Sequence, residues 1–158
     1  MGARVTVSNM RTEGSEPVAD VTVASSSLTG TTIKGAIIPA LIDEIPVLAV
    51  AAAMAMGQTI IADAAELKAK ETDRIQTVVE ALQAMGVRVE ATADGMIIEG
   101  RGHLDAVQVD SHGDHRLAMA WAVAALVARG EMHIAGSEAV DVSYPDFWRD
   151  IAAIAEQG

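Results

Sequence analysis

Three short charged stretches interrupt an otherwise apolar chain: "LIDEIP" at 41–46, "KETDR" at 70–74 and "GDHR" at 113–116. In the second, Lys70 and Arg74 flank Glu71. Two cations beside a carboxylate can bind an anion and move a proton next to it. In the third, Asp114 and His115 precede Arg116, which stands before a run, 117–128, without an ionisable side chain. An Arg at the head of a buried helix calls for a carboxylate or phosphate in two-point contact. Asp43 occupies the corresponding place in the first stretch. Each stretch also has a plainer use. Glu71 or Thr72 can cap a helix, as can Asp114 and Asp43, and His115 can serve as a structural hydrogen-bond partner. If the three helix entrances converge, Asp43 and Glu71 share one cleft with Lys70, Arg74 and Arg116. Two carboxylates with three cations then read as acid–base chemistry on an anionic substrate.

The elements that would position these residues recur at a fixed interval. "DEIPVLAVAAAMAMGQTII" and "GDHRLAMAWAVAALVARGEMHI" each run from a polar start through an Ala-rich helix to a Gly and a short β-prone segment. Aligning Gly57 with Gly130 lays residues 70–74 over 143–147, where a second helix opens in both copies. The predicted unit is βαβαββ: strand 31–34, helix 42–56 stopped by Gly57, strand 59–62, helix 72–85 ended by Gly86, then strands 87–91 and 96–99 joined at "ADG". A second unit starts at 107–109 and continues through helices 117–128 and 145–156, with Pro145 in the first turn of the last. Strands 4–8 and 20–25 stand before the first full unit, with "RTEGSEP" as a polar loop between them. The expected fold is α+β, with repeated βαβαββ units whose helices pack under sheets. One domain is expected: 1–30 the end of one unit, 31–100 a complete unit, and 101–158 a unit lacking its last two strands. Such a chain would be a fragment of a longer protein, incomplete at both ends.

Composition narrows the partners. The net charge of −11 argues against nucleic acid, whose phosphates are met by surplus Lys and Arg. A small anion needs only two or three placed cations. There are no cysteines, and the histidines at 103, 112, 115 and 133 show no HExxH spacing, so neither a metal site nor a cofactor is expected. The longest apolar runs, 45–56 and 117–128, are shorter than the roughly 20 residues of a membrane span. A soluble, cytoplasmic protein without a membrane partner is expected. Met54, Met56, Met85 and Met119, with Trp121 and Trp148, are expected to pack in the interior.

"KETDRI" at 70–75, "GDHRLAM" at 113–119 and the order Asp43, KETDR, DHR, "YPDF" resemble the C-terminal portion of the 5-enolpyruvylshikimate-3-phosphate synthases, the 3-phosphoshikimate 1-carboxyvinyltransferases. That resemblance implies an enolpyruvyl transferase fold, an inside-out α/β barrel-like domain of three βαβαββ units facing a similar domain. It implies the addition of the 5-hydroxyl of shikimate 3-phosphate to C2 of phosphoenolpyruvate, followed by loss of phosphate. By the same resemblance Asp43 contacts the shikimate hydroxyls and accepts a proton. Glu71 protonates and deprotonates the phosphoenolpyruvate methylene. Lys70 contacts shikimate 3-phosphate, and Arg74 and Arg116 grip phosphoenolpyruvate. No cofactor is implied. The chain has Val142 where many members carry Lys before the last helix, and Glu66 where others have Asn. Much of the family's anion pocket lies in the opposite, N-terminal domain, so the chain alone is expected to be inactive. Two alternatives are a relative acting on UDP-N-acetylglucosamine and a non-catalytic interaction domain.

Overall fold

The computed structural model describes residues 1–155. The chain opens with a long hairpin, β1 (Arg4–Glu13) and β2 (Glu16–Ala24). "RTEGSEP" is not a loop: most of it extends the two strands, and the turn narrows to Gly14 and Ser15. Gly14 takes φ +65°, which a glycine adopts without steric penalty. A register shift between Ser8 and Arg11 marks a bulge, with Asn9 at φ +51°. Val5 opposite Val23 and Val7 opposite Val21 form an apolar stripe that lies in solvent.

The body follows in the order strand, helix, strand, helix, strand, strand. The elements are β3 (Thr32–Ile33), the short α1 (Ile38–Leu41), α2 (Ile45–Met54), β4 (Met56–Ile61), α3 (Arg74–Ala84), β5 (Arg88–Ala91) and β6 (Met96–Arg101). They form one sheet in the order β3-β4-β6-β5. β3 runs parallel to β4, while β6 is antiparallel to both β4 and β5. The second half supplies β7 (Leu104–Asp105), β8 (Gln108–Asp110), α4 (His115–Ala125), β9 (Ala128–Arg129), β10 (His133–Ala135) and α5 (Phe147–Ala155). Here β8 pairs in parallel with β10 across α4, as β3 pairs with β4 across α2. The same strand–helix–strand arrangement therefore appears twice.

Helix α2 buries Ile45, Pro46, Ala49, Val50, Ala52 and Ala53, so it is enclosed on several sides, as its lack of a polar face requires. It packs on α3, α4 and β6. Small Ala side chains on α2 and α4 let these helices approach closely. Trp121 and Leu117 on α4, Ile75, Val78 and Leu82 on α3, and Met96 and Ile98 on β6 complete the core. Gly100 explains how near β6 comes to α2. A Cβ there would lie 2.1 Å from the carbonyl oxygen of Ala55 and 2.4 Å from that of Ala52.

Several boundaries depart from the sequence pattern. The helix expected over 42–56 opens as a 3₁₀ turn, Ile42–Glu44, and ends at Met54. Gly57 is therefore not a helix stop. It lies inside β4, with φ +89°. Met56, expected in the core, is an exposed strand residue because the helix stops before it. Helix α3 begins at Arg74, and its cap is Asp73 rather than Glu71 or Thr72; the Asp73 carboxylate accepts from the Gln76 N–H at 3.1 Å. Pro145 stands in the turn before α5, whose first residue is Phe147. The end predicted for helix 145–156, Glu156, lies outside the described residues.

The continuous helical stretch Gly35–Met54 has 20 residues and a mean hydropathy of 1.9, the length and apolarity of a membrane-crossing helix. Two observations give it the character of a core helix. Ile38, Ile42, Ile45, Ala49 and Val50 are buried in the interior, and Asp43 and Glu44 within it form ion pairs with other elements.

Candidate active site

Three chain entrances meet at one end of the helical layer. The first is the 3₁₀ turn Ile42–Glu44 ahead of α2, which carries Asp43 and Glu44. Asp43 caps no helix there; its side chain reaches across to the second entrance. That second entrance follows β4. A 3₁₀ turn over Ala65–Ala69 is pinned by the fully buried Leu67, so Glu66, Lys70 and Glu71 face outward while Arg74 begins α3. The third entrance is the turn between β8 and α4. His112 and Gly113 both take positive φ, +53° and +75°. The buried Ser111 donates to the Gly136 carbonyl at 2.9 Å and accepts from the Gly113 N–H at 3.2 Å. This tight turn delivers Asp114 to the head of α4. There it accepts from the N–H groups of Arg116 at 2.9 Å and Leu117 at 3.4 Å, the capping role its position predicts.

Arg74 joins all three entrances. Its side chain is 2% exposed, and the Asp114 side chain is fully buried. Nε donates to Asp114 Oδ2 at 2.7 Å and Nη2 to Oδ1 at 3.1 Å, a two-point pair. Nη1 donates to Asp43 Oδ1 at 2.9 Å, and Nη2 also donates to Glu71 Oε2 at 2.8 Å. One guanidinium thus serves three carboxylates. Burial alone would push Arg74 down. The hydrogen bond and charge of Asp114, with those of Asp43 and Glu71, outweigh it and hold the group above its ordinary value.

Lys70 stands at the rim, 2.9 Å from Glu66 Oε1 and 3.4 Å from Asp43 Oδ1. The hydrogen bond with Glu66 is the largest influence on its ammonium and helps raise its pKa. Asp43 experiences two opposing effects. Desolvation raises its carboxyl, but the hydrogen bond from Arg74 and the charge of Lys70 more than offset that and hold it below the ordinary carboxylate range. Glu71 and Asp43 each remain about half exposed, so both carboxylates reach solvent from the network's outer side.

Arg116 lies beside the network. Its Nη1 donates to Glu44 Oε1 at 2.6 Å. Asp43, Glu44 and Arg116, with Val47, Met119, Ala120 and Val123, line a cleft of about 140 Å³. His115 is half-buried at the start of α4, and among the described residues its ring makes no hydrogen bond.

The candidate residues Asp43, Lys70, Glu71, Arg74 and Asp114 therefore form one connected network. Arg116 borders it and His115 stands apart from it. Sequence spacing missed two members. Glu66 was readable as an i,i+4 partner of Lys70. Glu44 had no such signal, because its partner is 72 positions away in the chain. Val142 lies at the end of the 3₁₀ turn Ser137–Val142 and is 87% exposed. Among the described residues no cluster of His, Asp and Glu has the arrangement to hold a metal ion.

Comparison with known proteins supplies an independent view. The family model described as EPSP synthase (3-phosphoshikimate 1-carboxyvinyltransferase) matches residues 1–151. The chain is 61% identical over 157 residues to the 3-phosphoshikimate 1-carboxyvinyltransferase of Roseiflexus sp. (strain RS-1), covering 99% of this chain and 36% of that relative. It is 64% identical over 156 residues to the protein of that name from Herpetosiphon aurantiacus, with the same two coverages. Its fold is similar to a 2.37 Å structure of EPSP synthase from Acinetobacter baumannii, at TM-score 0.91 and 41% identity over 97% of this chain and 36% of that one. The chain thus spans about a third of the length of the curated relatives it matches.

Proposed function

Because the chain belongs to the EPSP synthase family, we propose that it supplies one wall of an active site that transfers the enolpyruvyl group of phosphoenolpyruvate to the 5-hydroxyl of shikimate 3-phosphate. The observation that carries this reading is the meeting of three helix entrances around Arg74, with two half-exposed carboxylates and two partly exposed cations at its edge. The remaining contacts to both substrates would come from the part of the family's length that this chain does not span, chiefly the opposite domain. A cytoplasmic location without cofactor, metal, membrane or nucleic acid goes with this reading.

The chemistry divides between the two carboxylates. Asp43 Oδ1 takes the contacts from Arg74 and Lys70, so Oδ2 is the oxygen available to the substrate hydroxyl. As Asp43 accepts the proton, the hydroxyl oxygen bonds to C2 of phosphoenolpyruvate, and Glu71 delivers a proton to C3. In the second step the bond from C2 to the phosphate oxygen breaks, and phosphate leaves with the electron pair and takes up the proton that Asp43 holds. C3 returns its proton to Glu71, and the enolpyruvyl ether remains. Glu71 suits this shuttle because only Oε2 is committed to Arg74. Lys70 and Arg116, the cations nearest solvent, meet the anionic groups of the substrates. Arg74, which the family resemblance gives as a phosphoenolpyruvate contact, is 2% exposed with all three guanidinium nitrogens donating to carboxylates, so its role in this reading is to hold those carboxylates. Arg74 keeps Asp43 and Glu71 at a fixed separation, and this geometric control is itself catalytic support.

The test follows phosphate release from phosphoenolpyruvate by the chain alone and by the chain combined with the rest of the family's length. Release is expected only from the combination, only with shikimate 3-phosphate present, and is expected to vanish with Glu71→Ala. Turnover by the isolated chain would overturn the reading that it is one wall of the site. Release dependent on UDP-N-acetylglucosamine instead would reassign the acceptor.

A further inference from the structure

The charges at the site's edge pose a problem for an anion. Each of the site's three cations is already matched within the chain: Lys70 by Glu66 and Asp43, Arg74 by Asp43, Glu71 and Asp114, and Arg116, beside the network, by Glu44. The cleft beside Arg116 carries two carboxylates, Asp43 and Glu44, against a single guanidinium. A substrate anion entering it meets net negative charge unless one carboxylate gives way.

The two carboxylates differ in how firmly they are held. Asp43 accepts from Arg74 and faces Lys70, and Arg74 is buried. Glu44 has one ionic contact, to Arg116, and the two side chains are 50% and 34% exposed. An exposed pair held at one point is weak and easily exchanged for water. Only Nη1 of Arg116 is engaged by it, so the guanidinium keeps further donors for a second anion.

We propose that Glu44 is the resident counter-ion of Arg116, a carboxylate that the incoming phosphoenolpyruvate anion displaces. The pair holds the guanidinium at the cleft when the cleft contains no substrate. When the anion arrives, Glu44 swings into solvent and the charge balance at Arg116 is restored by the ligand. The wall then acts as an exchanger of one carboxylate for another, and Glu44 sets how strongly the site competes for substrate. This inference rests on the reading that Arg116 meets phosphoenolpyruvate.

The two opposing effects of removing Glu44 decide the experiment. Loss of an orienting partner would weaken anion binding, and loss of a competing charge would strengthen it. Glu44→Gln separates them, because the amide oxygen can still accept from Nη1 while the charge is gone. In the full-length protein carrying this chain, E44Q is expected to lower KM for phosphoenolpyruvate about three- to tenfold, with a much smaller change in kcat, because uniform ground-state binding changes. KM for shikimate 3-phosphate is expected to stay in place. Glu44→Asp, which keeps the charge, is expected to resemble the parent. An unchanged or raised KM for phosphoenolpyruvate in E44Q would overturn the proposal. If the parent protein turns over neither substrate, the functional reading fails separately. The counter-ion proposal is then read from calorimetric titration with phosphoenolpyruvate itself. Tighter binding by E44Q supports it, and equal, weaker or absent binding by both proteins overturns it. Thermal melts of both variants guard against a folding defect, which an exposed side chain makes easy to avoid.

Discussion

Arg74 and Asp114, 40 positions apart, form a two-point ion pair entirely out of water, with Nε···Oδ2 at 2.7 Å and Nη2···Oδ1 at 3.1 Å. The pair ties the head of α3 to the head of α4. Such a buried pair contributes little relative to a well-packed apolar replacement, because both charges were desolvated to make it. Its loss on one side is a different matter. Asp114→Ala leaves a buried guanidinium with two weaker partners and removes the cap of α4. We expect a loss of about 3–5 kcal/mol in urea denaturation. A loss under about 1 kcal/mol, the size of an ordinary cap, would mean that the pair is not holding the two helices together.

Asp43 gives the site an acid limit. Its folded-state carboxyl lies below its ordinary value of 3.8, because the Arg74 hydrogen bond and the Lys70 charge outweigh desolvation. A depressed carboxyl adds stability above the unfolded pKa and loses it as pH falls through the folded one. The stability difference between the parent and Asp43→Asn should therefore be constant near neutrality and shrink below about pH 4. Parallel stability curves for the two proteins down to about pH 3 would contradict the assigned shift.

Gly100 is a packing prediction. A methyl group there meets two carbonyl oxygens at the end of α2, at 2.1 and 2.4 Å. Backbone oxygens cannot rotate away as a side chain can. Gly100→Ala should cost about 1–3 kcal/mol, as overpacked sites do. Equal midpoints in a denaturation series would show that β6 and α2 are farther apart in solution.

The roles proposed for Glu71 and Arg116 should separate kinetically when the chain is combined with the rest of the family's length. Glu71→Gln keeps a hydrogen-bond acceptor for Arg74 but cannot shuttle a proton. We expect kcat to fall about 10²–10⁴-fold with KM little changed. Arg116→Ala should instead raise KM for phosphoenolpyruvate more than it lowers kcat. The opposite pattern, a KM effect for Glu71→Gln and a kcat effect for Arg116→Ala, would exchange their assignments.

Local patterns carried much of the architecture. The 3.6-residue spacing of Ile75, Val78, Val79 and Leu82 marks α3, and the charge-free run after Arg116 marks a helix with little room for solvent. The offset between Gly57 and Gly130 exposed the repeated strand–helix–strand arrangement. Helix boundaries were less legible. The 3₁₀ turns at Ile42–Glu44 and Ala65–Ala69 have no periodic signature of their own, and the cap moved to Asp73 because its carboxylate, two residues past Glu71, reaches the N–H of Gln76. The hairpin β1–β2 is longer than its apolar pattern implies, because polar residues extend its strands around the turn.

By itself the sequence determined which charged residues are neighbours along the chain. Lys70, Glu71 and Arg74 lie within one turn of chain, and Asp114, His115 and Arg116 are adjacent, so their company at two helix mouths follows from covalent connection alone. Only the tertiary structure decided how their charges are used. Packing α2, α3 and α4 side by side brings Asp43, Glu71 and Asp114 onto one guanidinium and turns Arg74 inward. It also sets Glu44 against Arg116 across 72 residues. Ion pairing depends on distance and desolvation, which spacing along a chain does not encode for groups on separate elements.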